Sequence, residues 1–129
     1  LSFIVILYDH QLQVVHALDL EIRQLVLFID ASVSSKTAYS FTQLQAAKDK
    51  SYTTHAMSPA AVLQVYQSIN KQQPPPCFLL SIQGLSFELG EGISQQAKQN
   101  LQQAIPFTER LLNHCELKYW KQQTENSFA

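Results

Sequence analysis

Concentrated charge is missing from this chain. Nine lysines and arginines stand against ten acids, a formal net charge of -1, and no basic cluster occurs along the 129 residues. Such a balance offers no electrostatic footprint for nucleic acid or for an anionic membrane surface. Long apolar runs are missing too: none approaches the roughly twenty residues that span a bilayer, so no membrane insertion is expected. Cysteine is scarce, with only Cys77 and Cys115, which make neither a disulfide framework nor a zinc-ligand spacing. Buried or inert thiols in a reducing, cytoplasmic setting follow as the expectation. The three glycines, Gly84, Gly90 and Gly92, do not form a phosphate-cradling loop after a strand. No Gly-x-Ser-x-Gly elbow is present, which argues against an α/β serine hydrolase, and the His-Glu-x-x-His pattern of metalloproteases is absent.

What is present suits one compact domain with a sizeable core: 46% of the residues are hydrophobic and 15% charged. The opening run, Ser2 to Tyr8, is rich in β-branched and aromatic residues and is expected to be a strand. It lacks a basic leader, so it is not read as a signal peptide. The chain starts on Leu1, already inside that run, and is expected to be the remainder of a longer protein. Residues 12 to 22 place Val14, Ala17, Leu18 and Glu21 at helical spacing. His16 falls beside the stripe, where a packing role is expected of it.

The organising stretch is Gln24 to Asp30, QLVLFID. Five consecutive apolar residues suit a strand covered on both faces, as in a parallel sheet. Asp30 closes the run. At that end of an α/β sheet ligands bind, although an acid there can equally cap a turn or bond the following backbone. Thr37 to Gln43 alternates loosely and reads as an edge strand. Ser58 and Pro59 then form a helix start, a capping hydroxyl followed by a proline at the first helical position. Val62, Val65, Tyr66 and Ile69 carry the helix to about Lys71 before Pro74 to Pro76 stop the chain.

His55 sits in the loop just ahead of that helix start, where exposed N–H groups favour neutral imidazole, the form that binds metal. A plain structural role fits it as well. Cys77 to Ile82 is a further buried strand, and Ser94 caps a last helix that Pro106 is expected to kink. Glu88 and Glu91, in the loop between them, are read as solvated acids. From about residue 117 to 129 the chain turns polar and is expected to be a frayed tail. The alternation of strands and helices indicates an α/β three-layer sandwich around a twisted, mostly parallel sheet.

Four segments in order and spacing, HQLQVVHALDL (His10 to Leu20), LVLFIDAS (Leu25 to Ser32), THAMSP (Thr54 to Pro59) and SIQGLSFELGEGIS (Ser81 to Ser94), carry a resemblance. Together they resemble the maturation endopeptidases of nickel-iron hydrogenases, over residues from about Ile4 to Leu112. The resemblance implies a single domain of that family over residues 1–129. It also implies an enzyme that removes the C-terminal extension of the hydrogenase large-subunit precursor once nickel has been inserted. In the family a glutamate near the N-terminus, an aspartate ending a strand and a histidine in a loop bind the metal. Asp30 and His55 occupy the last two places, so the resemblance implies metal-ligand roles for both. The nickel is the precursor's own, no organic cofactor is implied, and no residue is singled out as the catalytic base.

The family's opening strand, its Gly-x-Gly-Asn type of turn and its glutamate ligand have no counterpart here. The chain matches from the family's second strand onward, so its first strand and helix are expected to be missing. With only two ligands, metal binding should weaken and the 129 residues alone should show little or no activity. Two other classes stay in view. One is a non-catalytic or degenerate α/β binding module in which Asp30 and His55 only hold loops. The other, a small-ligand or nucleotide-binding domain of flavodoxin-like type, would need a phosphate loop in the N-terminal portion expected to be missing.

Overall fold

A computed structural model describes residues 4–7, 9, 11–32, 37–49, 57–84 and 94–126. The chain is mixed α/β, with a three-stranded sheet and four helical segments among the described residues. In order these are a short 3₁₀ helix (Val14–Leu20), β1 (Val26–Ser32), β2 (Tyr39–Gln43), α1 (Pro59–Asn70), β3 (Cys77–Gln83), α2 (Gln95–Asn113) and α3 (Leu117–Asn126). They gather into two compact units, one of Leu1–Val26 with Leu44–Cys77 and one of Leu27–Gln43 with Phe78–Ala129.

In the first unit the 3₁₀ helix packs with α1, and Ala17, Leu20, Ala61, Val62, Leu63 and Tyr66 are buried. The start of α1 follows from local chemistry. Ser58 accepts a hydrogen bond from the Ala61 N–H at 3.1 Å, and Pro59 takes the first position, where no N–H is needed. The Asp49 carboxylate braces that cap, accepting from the Ser58 N–H at 3.2 Å and from its hydroxyl. A negative charge there also faces the positive end of the helix dipole. Lys71 ends α1 in the left-handed region, at φ 55°, and its N–H donates to the Gln67 carbonyl at 3.0 Å. Ser58→Ala is expected to cost about 1 kcal/mol or somewhat more, because Asp49 loses a partner as well. A urea titration reads this directly, and an unmoved midpoint would show that the cap contributes nothing.

The strand order is β1-β3-β2, so β3 is central. Its Cys77, Phe78 and Leu80 are buried. This corrects the expectation that Gln24 to Asp30 forms a strand covered on both faces, because β1 lies at an edge of the described sheet. Val26, Leu27 and Phe28 are only half-covered and Ile29 is 55% exposed. An apolar run signals burial without naming its neighbours, and the two partners that make a strand central lie far away in sequence.

β2 runs antiparallel to β3, with Phe41 opposite Leu80 and Tyr39 opposite Ile82. β1 runs parallel to β3, as the hydrogen bonds at the two ends show: Val26 N–H to the Pro76 carbonyl at 3.0 Å and Gly84 N–H to the Ser32 carbonyl at 3.0 Å. One parallel and one antiparallel pair therefore stand where a mostly parallel sheet is expected. The predicted edge strand, β2, does lie at an edge. The predicted opening strand differs: residues 4–7 form none, and Ile4, Val5, Ile6 and Leu7 are 52–67% exposed. Composition supplies strand propensity, but a strand exists only with a partner's edge to pair against.

The core of the second unit is aromatic. The Phe41 ring stacks on Phe78 with centroids 5.3 Å apart and meets Phe107 edge-on at 5.2 Å. Trp120 closes the cluster, 5.4 Å from Phe78 and 6.1 Å from Phe41. Trp120 lies in the segment expected to fray. Leu117–Asn126 instead forms α3, and Trp120 is 2% exposed, its indole N–H donating to the Leu111 carbonyl at 3.0 Å. One buried tryptophan outweighs a polar composition, because it removes a large apolar surface from water and has its single donor satisfied.

Helix α2 begins as expected, with Ser94 accepting from the Ala97 N–H at 3.1 Å. It continues through Pro106 to Asn113. Gln102 and Pro106 are both exposed, so water can serve the Gln102 carbonyl that the proline cannot reach.

Candidate functional site

Because β1 and β3 are parallel, their C-terminal ends lie together, joined by the bond from Gly84 N–H to the Ser32 carbonyl. In α/β sheets that end is where ligands gather. Asp30 stands two residues before the end of β1 and is exposed. The strand therefore does not close on the acid but runs on through Ala31 and Ser32. Oδ1 of Asp30 accepts a hydrogen bond from the Ala31 N–H at 2.9 Å. An exposed carboxylate in this place can meet a cation or a polar ligand from solvent.

Behind the end of β3 a buried asparagine anchors a small polar cluster that the sequence pattern does not single out. Asn100 on α2 is 1% exposed. Its Nδ2 donates to the Gln83 carbonyl at 3.1 Å and to Gln83 Oε1 at 3.3 Å, and its Oδ1 accepts from Gln96 Nε2 at 3.0 Å. These bonds tie α2 to the last residue of β3 and so hold the backbone beside Gly84. A signal was available: Asn100 falls on the apolar stripe of Ala97, Leu101 and Ala104, where a polar residue must find partners or lose stability.

His55, the second expected ligand, lies outside the described residues, as do Glu88 and Glu91. Of the two expected ligands, Asp30 alone falls among the described residues. Among the described residues no group of three or more histidine, cysteine, aspartate or glutamate side chains is placed to hold a metal ion.

His16 has a different task. Its Nδ1 accepts from the Gln13 N–H at 2.8 Å and its Nε2 lies 3.1 Å from Asp9 Oδ2. With a donor facing Nδ1, the neutral ring carries its proton on Nε2, directed at Asp9. Both nitrogens are engaged in holding the start of the 3₁₀ helix, which agrees with a packing role.

The cysteines are both free, Cys77 buried and Cys115 exposed. Burial pushes the Cys77 thiol from an ordinary 9.0 up to about 12. In the folded protein at pH 8 an alkylating reagent is expected to modify Cys115 alone, Cys77 reacting only after denaturation. Mass spectrometry of the alkylated chain checks this, and rapid double labelling would contradict it. The sign of the pH effect is also set. Between about pH 9 and 12 the unfolded thiol loses its proton while the folded one keeps it, so stability falls as pH rises through that window.

No family model, curated protein or solved structure matches the chain. Among the described residues no helix is long and apolar enough to cross a membrane.

Proposed function

We propose that this chain belongs to an endopeptidase that trims the C-terminal extension of a nickel-iron hydrogenase large-subunit precursor after nickel insertion. The reading rests on the four resembling segments. The observation that supports it is the exposed carboxylate of Asp30, near the C-terminal end of a strand parallel to its neighbour. In this reading Asp30 and His55 reach toward the nickel already held by the precursor, which is substrate rather than resident cofactor. The ion orients the scissile region and polarises a carbonyl or a bound water as a Lewis acid. Peptide is then removed only when metal is present, and the protein works as a checkpoint in the cytoplasm. The fold that accompanies this reading is a three-layer α/β sandwich.

A second reading, a non-catalytic α/β binding module, is favoured by one contact. Asp30 Oδ1 is already engaged by the Ala31 N–H, as expected of an acid that merely steadies its own backbone.

The two are separated by incubating the protein, expressed from its complete reading frame, with nickel-loaded and nickel-free precursor. Mass spectrometry is expected to show loss of the C-terminal peptide from the loaded form only. Failure to shorten either form would leave the binding module in place, and equal cleavage of both would remove the checkpoint.

A further inference from the structure

We draw no further inference here: the strongest candidate, the apolar groove that Ile29 and Ile82 of the sheet form with Leu101, Ala104 and Ile105 of α2, carries nothing because nothing in the structure shows what covers it.

Discussion

Replacing Asp30 with asparagine is expected to lower peptide release from nickel-loaded precursor by about a hundredfold or more, equivalent to about 2.7 kcal/mol or more of transition-state stabilisation. The substitution is nearly isosteric, and its amide oxygen can still accept from the Ala31 N–H that Asp30 Oδ1 engages at 2.9 Å. Local backbone structure is therefore preserved while the charge that the proposed reading directs at the precursor's nickel is lost. Asp30 is exposed, so the change leaves no buried group unsatisfied, and the urea midpoint should stay within experimental error of the parent. His55→Ala is expected to reduce release to a similar degree. Full activity in both variants would sink the ligand assignment and favour the binding module. Loss of activity together with a large loss of stability in Asp30→Asn would point instead to a structural acid.

The largest effect on folding is expected at Phe41. This ring is fully buried and touches three other aromatics, Phe78, Phe107 and Trp120, drawn from β3, α2 and α3. Truncation to alanine removes a phenyl group from a site whose neighbours belong to three separate elements and cannot all collapse inward. The expected cost is about 3–5 kcal/mol, the range for large aromatic-to-alanine changes in a packed core. Marginal stability is characteristic of single domains, so a loss of that size populates unfolded chain at moderate temperature. Phe41→Leu, which refills much of the volume, should recover more than half of the difference. Calorimetry of the two variants decides the matter. Equal melting temperatures for Phe41→Ala and the parent would mean that the cluster does not carry the second unit.

The legible elements share one property: their signals are local. Ser58 and Pro59 announce α1 because a capping hydroxyl and a proline act within one helical turn, and the observed bond from Ala61 N–H confirms the mechanism. Ser94 announces α2 for the same reason. The loose alternation of Thr37 to Gln43 marks an edge strand, and β2 lies at the edge of the sheet. Helix α2 runs through Pro106 to Asn113, with Gln102 and Pro106 both exposed.

The candidate site was legible to a lesser degree. An acid after an apolar run makes Asp30 conspicuous, but small residues such as Ala31 and Ser32 give no local sign that the strand continues past it. The role of Asn100 is not legible in the sequence, because its partner Gln83 is met only when α2 lies against β3.

Sequence alone settles for this protein what neighbours along the chain decide: the capped helix starts, the apolar stripes of α1 and α2, the mixed α/β class, and the lack of charge for nucleic acid. Tertiary structure decides what distant residues do to one another. It places β3 rather than β1 at the centre, folds Leu117–Asn126 by burying Trp120, and leaves Ile4, Val5, Ile6 and Leu7 outside any strand. The physical reason is that capping and periodicity are short-range interactions written into adjacent residues. Strand pairing and burial instead depend on which surfaces meet, and residues with the same propensity become core, edge or exposed according to the partner they find.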